Sequence, residues 1–153
     1  MGDDIRIRTA TKKDAAIISE HQILMAKETE KTTLDGDVVL SGVEHLIEQP
    51  EYGFYIVAET KEGVIGSILI TYEWSDWHDG LYWWIQSVFV DKEFRRRGVY
   101  SQMYQYTKNL AEKEGIKAIQ LYVFEKNISA QKTYESLGME LTPYKMYIEE
   151  LEK

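Results

Sequence analysis

The 153-residue chain has no cysteine, only two prolines and no long apolar run, and each lack narrows what it can be. Without cysteine there are no disulfides, no thiolate zinc sites and no thiol nucleophile. No apolar stretch approaches the roughly 18 residues that a membrane-spanning helix needs, so no membrane partner is expected. Three histidines, His21, His45 and His78, are scattered without metal-ligand spacing, and no metal is expected either. Neither G-x-x-x-x-G-K-[ST] nor G-x-G-x-x-G occurs, which argues against a nucleoside triphosphatase and a dinucleotide-dependent dehydrogenase. Cations are the minority charge: 18 Lys and Arg face 26 Asp and Glu, for a net charge of −8. That balance disfavours nucleic acid as a partner and favours a cationic acceptor drawn in by the field. Met1-Gly2-Asp3-Asp4 has neither a basic nor an apolar leader pattern, so the expected location is cytoplasmic.

What is present reads as one ordinary globular domain, residues 1–153, with 44% hydrophobic and 29% charged residues and no internal repeat or linker. Ile5 to Arg8 alternates like a short strand. Thr11 and Asp14 form a capping pair for a helix whose apolar face carries Ile17, Ile18, His21, Leu24 and Met25 and ends at Glu28, aiming that carboxylate inward. A second helix runs from Val38 to Ile47 and stops before Pro50. Strands follow over 54–59, 63–73 and 82–90, then a helix over 99–114 closed by Gly115, a strand over 118–123, a short helix over 129–137 and a last strand over 145–149. The pattern predicts a mixed α/β (α+β) protein with a central, mostly antiparallel sheet of about six to seven strands flanked by helices.

The most telling stretch is Arg95-Arg96-Arg97-Gly98-Val99-Tyr100-Ser101, at a junction from strand to helix. A helix N-terminus offers main-chain N–H groups and about half a positive charge, and a glycine lets an anion approach the backbone. A solvated charge run is the alternative reading of the same residues. Further on, Asn127, Ala130, Tyr134, Gly138 and Met139 fit the pattern N-x-x-A-x-x-x-Y-x-x-x-G-[FM].

Taken together, Arg95-x-x-Gly98 and the Asn127–Met139 stretch, one helix and one strand apart, make the chain resemble the GNAT superfamily of acyl-CoA-dependent N-acetyltransferases over nearly its whole length. Two positions depart from the family pattern: Tyr100 stands where a small residue is usual, and Gln86 where many relatives carry a glutamate on the fourth strand.

The resemblance implies a GNAT-like fold and direct transfer of an acetyl group from acetyl-CoA, the co-substrate, to a primary amine of a small, cationic acceptor. It implies that the backbone from Arg95 through Arg96, Arg97, Gly98, Val99 and Tyr100 to Ser101 holds the pyrophosphate. It also implies that Val88, Phe89 and Val90 pair with the pantetheine arm, a backbone N–H near Val88 facing the thioester oxygen. Asn127 is either an ordinary N-cap or a partner of a pantetheine amide, and both roles are compatible. Tyr134 is the expected general acid, competing with a core role. A phenol stays protonated at neutral pH and can protonate a departing thiolate. For the base the sequence offers Glu28, with Glu30 behind it, or a water held by Gln86. Trp74 and Trp77, with Asp76 and Asp79 beside them, either box the amine or serve as packing and turn residues. Relatives are often dimers, so a homodimer is an expectation of the resemblance. The alternative function is a non-catalytic acyl-CoA-binding or sensor module, which the missing glutamate at Gln86 keeps open.

Overall fold

A computed structural model describes residues 4–152; Met1-Gly2-Asp3, read above for targeting signals, lies outside that range. Two compact units make up the chain, one ending at Tyr122 and the other beginning at Val123.

The first unit contains β1 (Arg6–Thr9), α1 (Ala15–Glu30), α2 (Gly36–Glu48), β2 (Gly53–Thr60), β3 (Gly63–Ser75), β4 (Gly80–Val90), α3 (Val99–Lys113) and β5 (Ala118–Gln120). The strands lie in the order β1-β2-β3-β4-β5. The first four are antiparallel neighbours, and β5 joins β4 in parallel. The mixed, mostly antiparallel sheet matches the sequence reading, but it has five strands among the described residues, where six to seven were expected.

Local chemistry explains the elements. The Thr11–Asp14 pair forms as read: the Asp14 carboxylate accepts from the Thr11 N–H at 2.7 Å, and Thr11 caps the short turn before α1. Asp35 caps α2 by accepting from the Asp37 and Val38 amides, which begins that helix two residues earlier than its apolar periodicity suggests. Tyr55 and Val57 of β2 pack with Ala15, Ile18 and Val43 of α1 and α2. Ile18 and Val57 are wholly buried; each such side chain contributes roughly 1.5–3 kcal/mol over exposure. On the other face α3 comes so close that a Cβ on Gly66 would stand 3.1 Å from the Met103 methyl carbon. Arg8 ties the sheet to α1, donating to Asp14 at 2.8 and 3.0 Å and to Glu59 at 3.0 and 3.1 Å.

The second unit holds α4 (Ile128–Ser136), capped by the Asn127 side chain, which accepts from the Ala130 N–H at 3.1 Å. The strand expected over 145–149 is absent. Its residues alternate suitably but join no ladder, Met146, Tyr147 and Ile148 being exposed, and alternation without a partner is not a strand. The preceding Pro143 has no N–H to give, and the Tyr144 N–H turns back to the Thr142 hydroxyl. No helix of the described residues is long and apolar enough to cross a membrane.

Candidate active site

The middle of β4 departs from a regular pleat. Ile70 faces Ile85 and Leu69 faces Ser87, so Gln86 is an extra residue, a β-bulge. Pairing with β5 covers only Tyr82 to Trp84 and stops there. From Ile85 to Val90, β4 therefore has a strand partner on its β3 side alone among the described residues.

Hydrogen-bond alternation fixes which main-chain groups face the bare side. The Asp91 N–H donates to Ile65 O at 2.8 Å. In an antiparallel ladder every second residue points the same way, so Phe89 and Ser87 also turn toward β3. Val88 and Val90 turn away from it. The Val90 carbonyl accepts from Arg95 Nε at 2.8 Å, which agrees with that orientation.

The loop after β4 leads into α3 through two left-handed residues, Arg96 at φ 63° and Gly98 at φ 78°. A non-glycine residue held there costs on the order of 1–3 kcal/mol and marks a place worth inspecting. Among the described residues a Cβ on Gly98 would meet no atom within 4 Å, so the glycine serves its backbone angle and leaves open space beside the main chain. The first hydrogen bond of α3 runs from Gln102 N–H to Gly98 O, and the amides of Val99 and Ser101 precede it. Left-handed turns followed by a helix N-terminus gather N–H groups into an anion-binding concavity.

The family model for acetyltransferases (GNAT) matches residues 20–139, which spans this whole region. The chain belongs to the GNAT acetyltransferase family. Membership places it among acyltransferases. A possible acetyltransferase from Clostridium difficile 630 is 43% identical, with 97% of this chain and 99% of that one covered and a TM-score of 0.91. The fold is shared at greater distance by an aminoglycoside N-acetyltransferase, AAC(6′)-Iy, in complex with CoA, at 20% identity, 99% and 97% coverage and a TM-score of 0.78. A ribosomal-protein-alanine N-acetyltransferase from Brucella melitensis biovar Abortus 2308 shares it at 14% identity, 97% and 100% coverage and a TM-score of 0.76. No curated protein sequence matches the chain.

Within this GNAT chain the residues singled out from sequence fall into distinct settings. Arg95 is committed to the protein: besides Val90, it donates to Glu28 Oε2 at 2.9 Å and lies over the Phe89 ring at 5.5 Å. Arg96 is exposed, and the exposed Arg97 lies over the Phe94 ring at 5.4 Å. The Val99 side chain is buried, leaving only its main chain for a ligand, whereas Phe89 is buried and its main chain faces β3, so, against expectation, it does not pair with a pantetheine arm. Ser101 is exposed, and the half-buried Tyr100 packs beside Tyr104 with ring centroids 6.1 Å apart. Glu28 does not point inward as its helical position suggests; its exposed carboxylate faces Arg95. Gln86 is exposed, its amide donating to Thr71 Oγ1 at 3.0 Å and accepting from the Tyr122 hydroxyl at 3.0 Å. Tyr134 lies half-buried on α4, and burial pushes its phenol pKa upward.

Sequence reasoning missed Thr71, Glu73 and Tyr122 around Gln86. Strand register and the bulge bring Thr71 and Glu73 there, the Tyr122 hydroxyl reaches Gln86 from beyond the end of β5, and no local pattern announces any of this. Trp83 is core, and Trp77 is 89% exposed at the hairpin tip. His21 is buried as expected, its Nδ1 2.9 Å from the Ser67 hydroxyl and its ring stacked on Phe89.

Proposed function

We propose that this acetyltransferase moves an acetyl group from acetyl-CoA to the primary amine of a small cationic acceptor, as a single catalytic domain acting in the cytoplasm. The observation that carries the reading is the half-bare edge of β4, which ends beside the N-terminus of α3. An amide-containing arm can pair with the outward main-chain groups of Val88 and with the Val90 N–H, the Val90 carbonyl already accepting from Arg95. A diphosphate suits the concavity at Gly98, where backbone N–H groups gather and no Cβ intrudes. Charge from Arg96 and Arg97 adds to that grip, while Arg95 holds the loop to β4 and α1. The known structure of AAC(6′)-Iy with CoA, on the same fold, supports both ligand classes.

Acetyl-CoA supplies the acyl group as an activated thioester. The Val88 N–H is the donor for the oxyanion that develops at the carbonyl. Tyr134 holds a proton for the leaving thiolate, whose conjugate acid has a pKa near 8.5; a phenol raised by burial is fully protonated at pH 7. Asn127, besides capping α4, presents its amide to the pantetheine arm. A free alkyl amine is neutral in only about one molecule in a few thousand at pH 7, so its proton must be removed. The proton passes to a water that Gln86 positions and from there to solvent, or to the Glu28 carboxylate after it leaves Arg95.

A second reading, a non-catalytic acyl-CoA sensor, draws on one feature: Gln86 is a neutral amide tied to Thr71 and Tyr122. Two assays separate the readings. Melting temperature should rise with acetyl-CoA concentration as one-site binding requires. Thiol release should then follow from at least one amine in a panel. Stabilisation with no release from any amine favours the sensor, and no stabilisation refutes both.

A further inference from the structure

Next to Gln86, one face of the β3–β4 hairpin carries side chains, Glu73, Trp84 and Tyr122, that acyl transfer leaves unused. Trp84 stands opposite Thr71, and Glu73 opposite Tyr82, on the face that also bears Gln86. The Trp84 indole N–H donates to Glu73 Oε1 at 2.9 Å. The Tyr122 ring meets Trp84 edge-on, with centroids 5.5 Å apart and planes at 61°. Its hydroxyl reaches Gln86, so the set runs without a break from the bulge to the carboxylate. Glu73 is exposed, and no cation pairs with it among the described residues. Tyr122 is 54% exposed, so packing does not consume its ring face.

Two angled aromatic rings and an unpaired carboxylate recognise a cation. A positive group within about 6 Å of a ring centroid is drawn to its π face, and the carboxylate adds direct attraction. Neutral and anionic groups gain neither. We infer that this patch seats a second positive charge of the acceptor, which makes the preferred acceptor a linear diamine or longer polyamine. The inference rests on the acetyl-transfer reading, which puts the reacting amine at Gln86. Gln86 and Trp84 are two residues apart on one strand, at most about 7 Å with the bulge shortening the span, which a chain of about four to five carbons bridges between its nitrogens. The charge of the chain, −8, draws such a cation in.

The test compares a five-carbon diamine with pentylamine, using thiol release and, separately, calorimetric binding of the diamine with coenzyme A present. The parent should prefer the diamine in kcat/KM. Glu73→Gln keeps an acceptor for the Trp84 indole and removes only the charge; it should cut that preference at least tenfold and weaken diamine binding to match. Trp84→Phe, which keeps a ring and loses the indole N–H, should cut it less. Tyr122→Leu should reduce diamine binding where Tyr122→Phe largely preserves it. An unchanged preference in Glu73→Gln, or a parent that shows none, overturns the inference while leaving acetyl transfer intact. Glu73-dependent diamine binding without thiol release from any amine sustains the cation seat and instead overturns the transfer reading.

Discussion

His21 makes the protein vulnerable to mild acid, and the size of the effect follows from its surroundings. The side chain is 1% exposed, Nδ1 bonds the Ser67 hydroxyl, and Nε2 has no hydrogen-bond partner among the described residues. The Asp91 carboxylate lies 4.0 Å from Nε2, beyond hydrogen-bond reach, and burial raises its own pKa. Desolvation therefore decides, and it pulls the His21 pKa down from 6.5 to about 4. The unfolded chain binds the proton more readily, so stability is full above pH 6.5 and falls as pH drops from there toward 4. Between pH 7 and pH 5 the loss from this one group is about 2 kcal/mol. For a chain of this size that lowers the melting temperature by roughly 4–8 °C. Urea titrations at the two pH values measure it, with the non-titrating His21→Gln as the reference for all other groups. The parent should lose about 2 kcal/mol more than the variant over this interval. Equal losses, or an NMR titration of the His21 ring with a midpoint near 6.5, would refute the argument.

Three further outcomes follow from the same contacts. Asp14 has its pKa lowered chiefly by its hydrogen bonds from Arg8, against the opposing cost of burial, so its stabilisation is present above the ordinary carboxylate range and lost below it. Asp14→Asn should cost about 2 kcal/mol in urea melts at pH 7 and progressively less as pH falls below the ordinary carboxylate range. Gly98→Ala should lower stability by about 1 kcal/mol through the left-handed angle. Gly98→Asn tolerates that angle better, yet both should weaken coenzyme A binding in calorimetry; full affinity in the asparagine variant would remove the loop from the site. Tyr134→Phe should lower turnover roughly 10²- to 10⁴-fold with little change in coenzyme A affinity, and equal loss of both would make Tyr134 structural.

How much of this was legible beforehand differs by residue. The helices α1 and α3, the strands β2 to β4 and the Thr11–Asp14 cap were readable because each is encoded within a few residues. Glu28 was misread because helical phase gives a direction but not a neighbour, and the neighbour, Arg95, is 67 residues away in sequence. The last strand was misread because a ladder needs a partner that alternation does not supply. Regular alternation along β4 would put Trp84, Gln86, Val88 and Val90 on one face. The bulge instead groups Trp84 with Ser87 and Phe89, as their partners Thr71, Leu69 and Ser67 show. The arginine loop was visible from composition, yet its division into an anchoring Arg95 and outward Arg96 emerged only in three dimensions.

The extra residue in β4 ties its bare edge to chain length more than to chemical identity. Shortening the strand by residue 86 alone would keep every remaining side chain on its present face and restore an even pleat. β5 would then be free to continue alongside past Trp84. Exchanging Gln86 for another residue type changes what hangs at that edge, whereas removing it should let β5 pair along it. A one-codon deletion there should abolish ligand uptake in a protein that still folds.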